Sequence, residues 1–313
     1  VENLRELIGI ITKHKMKGLE PIGPHNPLKS KLKELYDGIE KNEFSTEKEA
    51  IVSIYGNQKN GKQNFQKLKS RLEERLLNTV FFIDINKLNH NDIQEAFYAS
   101  HKDWATIKIL LGKGARLTAI SLAEKLLIKA EKFEFSGIIL DIARILRFHY
   151  ATIDHNKKKY QKYGQLVKKH MEIITVETLA EEYYTEISSQ QVDPKISKQS
   201  LLQKAKKYSA TLRKRTANLN SYRLNLLSRL VFVYRYQVEN DYEKIIEECE
   251  KAIAFFESKP HQASKTALFT FSFKLLACYI QLKKFNKGEQ VANKCFDLIT
   301  EGTLNWFYTY QLY

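Results

Sequence analysis

At 313 residues the chain is long enough to bury large cores, in two units or one elongated array. Its 43% hydrophobic content, with 17 Phe, 17 Tyr and 2 Trp that need burial, excludes disorder over most of the chain, and only 12 Gly and 5 Pro disfavour turn-rich sandwiches and barrels. The net charge of +15 favours anionic partners and is regional: residues 157–240 hold 17 basic and 7 acidic groups, with eleven Lys or Arg and no Asp or Glu from Pro194 to Val238.

Leu4, Leu7, Ile8 and Ile11 predict a short helix within residues 1–17, and the Gly and Pro residues from Gly18 to Pro27 predict a linker. Leu28, Leu32, Leu35 and Ile39 have the spacing of one buried helical stripe. Thr46, with Glu49 three residues on, is a better cap for the next helix than Ser45, which has Lys48 there. After the polar turn 56–61, Phe65, Leu68, Leu72, Leu76 and Leu77 support a long helix reaching Phe81-Phe82-Ile83. Lys62, Lys67, Lys69, Arg71 and Arg75 invite a DNA-reading helix. Glu73 and Glu74 beside them make a solvated amphipathic face the simpler account.

Helices are predicted near 92–111, 115–133 and 135–152, with Gly112, Gly114 and Gly137 close to the breaks. Longer helical stretches follow at about 155–189, ended by Pro194, and 197–238, capped by Ser197. In the second, Leu201, Ala205, Tyr208, Leu212, Leu219, Leu226 and Leu230 share a narrow sector, and Lys206, Lys207, Arg213 and Lys214 lie away from it. Asn218, Asn220 and Ser221 interrupt it near the middle, so one long helix or two shorter ones fit equally.

Residues 275–295 read LLACYIQLKKFNKGEQVANKC. Leu275, Tyr279, Phe285, Gly288, Ala292 and Cys295 resemble the alternation of large and small positions in a tetratricopeptide repeat, with Gly288 where that family usually has Ala. Phe232, Tyr236, Tyr242, Ile245, Cys249 and Ala252 form a related pattern, 43 residues from Tyr242 to Phe285 rather than the usual period of about 34. A weaker third unit begins near Trp104, with Gly112 at its turn and Ala123 and Ala130 on its second helix. The whole chain is similar to uncharacterised bacterial helical-repeat proteins. The resemblance implies stacked antiparallel helix pairs and, by analogy of fold alone, peptide or protein binding.

The expected class is therefore all-α: a small N-terminal helical unit, then an antiparallel helix-pair solenoid with long helices. The expected divisions are an N-terminal helix and Pro/Gly linker at 1–27, a compact helical unit at 28–91, and a tetratricopeptide-like array at 92–313. Ile245, Ile246, Ile253, Phe255, Phe256, Phe269, Phe273 and Leu276 are expected core, with the Trp306 to Tyr310 aromatic cluster capping the array. The Val1 start and Tyr313 end suggest a fragment, with functional segments beyond it left open.

Catalytic chemistry finds no support. No HExxH, Walker loop, dinucleotide fingerprint or GxSxG elbow occurs, and the histidines have no ligand spacing with Cys or Asp, so no cofactor or metal is expected. His170, within Lys168-Lys169-His170, reads as part of a solvated face. Glu177 and Glu181 share a helical face and read as exposed. Cys249, Cys278 and Cys295 form no CxxC pair and read as buried thiols of a reducing, cytoplasmic compartment. No window has the apolar length of a membrane span, and the start lacks a secretory pattern.

The resulting expectation is a non-enzymatic scaffold with a basic surface that binds an unidentified protein or acidic peptide. Candidate partner-binding residues are Lys206, Lys207, Arg213, Lys214, Asn218, Asn220, Tyr222 and Arg223. The alternative is RNA or single-stranded DNA on 157–235, with phosphates at Lys157, Lys158, Lys159, Lys162, Lys168, Lys169, Lys204 and Arg215 and bases on Tyr160, Tyr163 and Tyr208.

Overall fold

A computed structural model describes residues 2–13, 31–81, 92–191, 193, 195–219, 221–259 and 264–299. Among them the secondary structure is wholly α-helical, in thirteen helices that pack mainly on their sequence neighbours. The chain divides into two compact units, Val1–Asn89 and His90–Tyr313.

In the first unit, α1 (Glu2–Lys13), α2 (Lys31–Glu40) and α3 (Glu47–Tyr55) all pack on α4 (Gly61–Val80). The predicted stripes meet in one core: Leu4 and Ile8 of α1, Leu35 and Ile39 of α2, Ile54 of α3, and Phe65, Leu72 and Leu76 of α4. Gly38 is required here, because a Cβ at that position would fall inside the Phe44 ring. Thr46 caps α3 as predicted, accepting the Glu49 N–H, while the Glu49 carboxylate reaches back to the Ser45 N–H at 2.8 Å. The buried stripe of α4 ends at Leu76, Leu77 is exposed, and the helix itself ends at Val80. Phe81 is exposed, and Phe82 and Ile83 lie outside the described residues, as do Leu28 and the 18–27 stretch.

In the second unit α5 (Asp92–Gly112), α6 (Arg116–Lys132), α7 (Ser136–Thr152) and the 35-residue α8 (Lys157–Gln191) run back and forth. They are followed by α9 (Lys198–Thr216), α10 (Tyr222–Glu239), α11 (Tyr242–Glu257), α12 (Lys265–Gln281) and α13 (Phe285–Leu298). This is the helix-pair, solenoid-like arrangement expected. The 197–238 stretch is two helices: Ser221 ends the break by accepting the Leu224 N–H at 3.0 Å and starting α10. Ser197 caps α9 as predicted.

Four of the tight connections share one device. Gly114, Glu134, Asn240 and Lys283 have φ of +81°, +56°, +57° and +55°, and the next N–H in each case reaches back five residues to close the helix end. The reversal lets apolar faces close on each other. Ile107, Ala123, Leu126, Ala130, Ile139 and Leu146 form one core, and Ile245, Cys249, Ala252, Phe256, Phe271 and Cys278 another. Small residues sit where helices approach closely. Ala123, Ala130, Cys249, Ala252 and Cys295 have no exposure, and Gly288 faces Leu276 and Tyr279 across the α12–α13 contact. The Trp306–Tyr310 cluster lies outside the described residues.

Glu134 does more than turn the chain. Its carboxylate accepts the Tyr222 N–H, the first of α10, at 2.7 Å, and also takes the Lys259 ammonium. The bonds span 88 and 125 residues of sequence. Charge-assisted bonds of this kind contribute about 1.5–3 kcal/mol each. Glu134→Ala is expected to lower the stability of this unit by about 3 kcal/mol, and Glu134→Gln, which keeps an acceptor for the Tyr222 N–H, by about half as much. Urea unfolding of the two variants checks this; equal losses would contradict it.

Candidate functional site

Much of the acid-free stretch is compensated in space by carboxylates from other helices. Lys206 pairs with Glu239 at 3.1 Å. Arg213 pairs with Glu248 at 2.6 Å and lies over the Phe232 ring. Arg223 pairs with Glu181 at 2.8 Å, and Lys204 with Glu186 at 2.6 Å. Tyr222 is built into the fold: besides the Glu134 contact, its hydroxyl accepts the Ser264 N–H and its ring packs against Phe256. Lys207, Lys214, Arg215 and Asn218 are exposed, and Asn220 lies outside the described residues. Arg213, Lys214 and Arg215 occupy the last turn of α9, where positive charge complements the helix dipole.

The lysines of α8 divide in the same way. Lys159 bonds the Glu124 carboxylate at 3.0 Å and the Tyr150 hydroxyl at 2.8 Å. Lys157, Lys158, Lys162, Lys168 and Lys169 are exposed, and Lys162 lies near the Tyr163 ring. Three lysines in the first turn oppose the helix dipole, so local helix stability does not explain them. Tyr160 is exposed. Tyr163 is buried, and Tyr208 stacks on Tyr183 with centroids 3.7 Å apart while its hydroxyl bonds Glu186. The two latter rings serve packing.

Two sequence expectations on α8 are corrected. His170 is buried, because it falls in the stripe of Tyr163, Val167, Ile173 and Val176 that packs inward. Burial, then the neighbouring Lys169, hold its imidazole down to about 4, so it is neutral at physiological pH, and its Nδ1 has no partner among the described residues. Glu177 is also buried, not exposed. It accepts the Ser221 hydroxyl, and burial raises its carboxyl above the ordinary range against the opposing effects of Ser221 and Arg223.

Glu177 lines a cleft that the sequence did not reveal. Along α5, Ile93, Phe97, His101, Trp104, Lys108 and Leu111 recur every three or four residues, so they form one face. The face borders two clefts. Near the start of α5 a cleft of about 510 Å³ is closed by the α6–α7 turn, by Ser136 and Gly137 of α7, by Glu177 and Glu181 of α8, and by Arg223 and Leu226 of α10. Near its end a cleft of about 470 Å³ is closed by Arg116 of α6 and by Asp141, Arg144, Ile145, Arg147 and Phe148 of α7. Because α6 reverses the chain between them, α5 and α7 run parallel, and the two clefts follow one another along both.

The two clefts differ in sign. The later cleft sets Lys108, Arg116, Arg144 and Arg147 against the one carboxylate of Asp141, over a floor of Trp104, Leu111 and Ile145. Arg116 donates to His149 Nδ1 at 3.3 Å, and Lys108 lies 4.9 Å from the Trp104 ring centre. No ion pair among the described residues engages these four cations. Phe148, 60% exposed, extends the apolar floor to the surface. A third cleft, of about 330 Å³, contains the predicted Arg213 with Arg229 and Lys251, but there Glu248 bonds both arginines.

Nothing among the described residues groups three or more His, Cys, Asp or Glu as a metal set. Burial pushes the Cys249 thiol up to about 12 and the Cys278 and Cys295 thiols up to about 11, which makes them poor nucleophiles. No described helix is long and apolar enough to cross a membrane. Comparison with known proteins adds no relative: no family model, curated protein or solved structure matches the chain.

The two buried groups of α8 give opposite pH signatures. The His170 imidazole takes its proton more readily in the unfolded chain, so its contribution is intact above about pH 6.5 and is lost as pH falls toward 4. Glu177 holds its proton more tightly when folded, so stability is lost as pH rises from the ordinary carboxyl range through its raised value. Relative to wild type, His170→Gln therefore gains stability as pH falls from 6.5 to 4, and Glu177→Gln gains as pH rises from 4 to 7. Melting temperatures across that range check both signs.

Proposed function

We propose that the chain is a non-enzymatic helical scaffold that binds a protein partner through an acidic peptide segment, held at the cationic end of the α5–α7 groove. The supporting observation is the quartet Lys108, Arg116, Arg144 and Arg147, in no ion pair among the described residues, around an apolar floor. A scaffold with this much positive charge has abundant ways to neutralise it, and elsewhere in the unit it does so with Glu186, Glu239 and Glu248. Arginine forks suit carboxylates, and the apolar floor supplies the contact area that charge alone does not. The resemblance to tetratricopeptide repeats agrees with this reading by analogy of fold. The exposed partner candidates Lys207, Lys214 and Asn218 stand as a second contact surface on this reading.

The exposed Lys157, Lys158, Lys162, Lys168 and Lys169, with Tyr160 among them, support the second reading, RNA or single-stranded DNA on the surface of α8. One set of measurements separates the two. Short random peptides displayed against the full chain are expected to yield sequences with clustered Asp and Glu. Arg144→Glu with Arg147→Glu is expected to weaken the selected peptides at least tenfold, about 1.4 kcal/mol. If the chain selects no peptide but binds an unstructured RNA oligomer in a salt-sensitive way, and Lys157, Lys158, Lys162 and Lys168 changed to Gln abolish that binding, the second reading replaces the first.

A further inference from the structure

We infer that the opposite end of the same groove is a receptor for a lysine or arginine side chain of the bound peptide, so that the ligand is read as an ordered pair of charges. This rests on the peptide-binding reading above and adds the chemistry of a second position. The cleft at the start of α5 holds three carboxylates, Glu134, Glu177 and Glu181, and a single guanidinium, Arg223, in a protein of net charge +15. Phe97, Phe133 and Phe135 supply aromatic surface beside them, and Phe97, packed against His101 and Phe135, keeps 43% exposure. Carboxylates with aromatic faces are the surroundings that a cationic side chain on an apolar stem prefers.

The three acids are not equivalent. Glu134 is committed to Tyr222 and Lys259. Glu181 holds Arg223 in a pair that is about half exposed on both sides, and such pairs contribute little, so a competing cation can replace it at small cost. Glu177 is buried and, among the described residues, is bonded by the Ser221 hydroxyl at its Oε1 and by no cation, so a cation entering the cleft gives the carboxylate a charged partner. An independent observation points to an occupant. Ser136 is 5% exposed and lines the cleft, yet its Oγ has no hydrogen-bond partner among the described residues. A buried hydroxyl left without a partner is uncommon, and a peptide amide or carbonyl in the cleft would satisfy it.

The spacing follows from the helix. Phe97 in one cleft and Lys108 in the other are eleven residues apart on α5, about 16 Å along its axis. An extended peptide covers that in about five residues. The expected ligand therefore carries a Lys or Arg about five residues from an Asp or Glu cluster, in one fixed order.

Display of random peptides against the full chain, and against Glu177→Gln with Glu181→Gln, tests this. Glu177→Gln keeps an acceptor for the Ser221 hydroxyl and Glu181→Gln removes a half-exposed ion pair, so the circular dichroism of the double variant is expected to match wild type. Wild type is expected to select acidic clusters with a basic residue at the stated spacing, and the double variant to select the clusters alone. Norleucine in place of the basic residue in a wild-type-selected peptide should weaken binding to wild type about tenfold and leave binding to the variant unchanged. Selection of acidic clusters with no fixed basic position overturns this inference and leaves the scaffold reading standing. So does a variant that still selects the basic position. Selection of no peptide at all overturns the scaffold reading, and this one with it.

Discussion

The carboxylate of Glu134 fixes the geometry on which the groove depends. A helix start leaves backbone N–H groups unsatisfied and carries partial positive charge, so an acid placed there is stabilised twice, by hydrogen bond and by field. For α10 that acid comes from a turn 88 residues earlier, and the same group holds Lys259. The α6–α7 turn, the start of α10 and the residues after α11 are thereby held at one point. Tyr222, Arg223 and Leu226 follow directly on that point, and all three line the far wall of the acidic cleft. The residue also has a positive φ, which few side chains other than Asn and Gly accept readily. A single position thus combines a strained turn with the contact that the turn makes possible.

The distribution of charge follows a related logic. A run without acids in sequence is not a run without acids in space. Because each helix packs on its neighbours, the carboxylates of α8, α10 and α11 face the cations of α9 and α10: Glu186 receives Lys204, Glu239 receives Lys206, and Glu248 receives both Arg213 and Arg229. Glu248 is almost wholly buried and Arg213 spreads over Phe232, so these contacts organise the core of the later helices. Among the described residues, what stays outside any ion pair includes Lys207, Lys214 and Arg215 of α9, the exposed lysines of α8, and the cations of α5 and α7 that line the later cleft. The excess charge of the region 157–240 is therefore a mixture of structural cations and free ones, and only packing separates them.

The helices were legible because their signals are local. Stripes of Leu and Ile set the buried faces and Thr46 and Ser197 capped where their side chains allow, while the polar run before Ser221 left one helix or two open, a choice that only the Ser221 cap of α10 decides. The turns were less so: Gly114 announces a left-handed residue, whereas Glu134 and Lys283 take the same conformation with no local mark. The groove was not legible at all. Lys108 and Arg144 are ordinary residues on ordinary amphipathic helices, and they meet only because α6 folds back between them. Its one trace in sequence is the α5 stripe itself, which places His101, Lys108 and two large aromatics on a face that a core helix would have filled with aliphatics. His170 and Glu177 were misread for the converse reason. A polar side chain in the inward stripe of a 35-residue helix looks solvated until its neighbours are known.

On the proposed reading, the separation of the two ends matters as much as their signs. At physiological salt, charges interact strongly over about 8 Å, roughly half the distance between the clefts. Each end therefore meets its ligand group as an independent site, and the cations at one end do not quench the acids at the other. A peptide that is acidic throughout gains at Arg144 and Arg147 but brings like charge to Glu177 and Glu181. One that is basic throughout meets the reverse conflict. Repulsion at the wrong end then rejects ligands that attraction at the right end would accept, which is how a shallow groove on a strongly basic protein can avoid binding every acidic chain it meets.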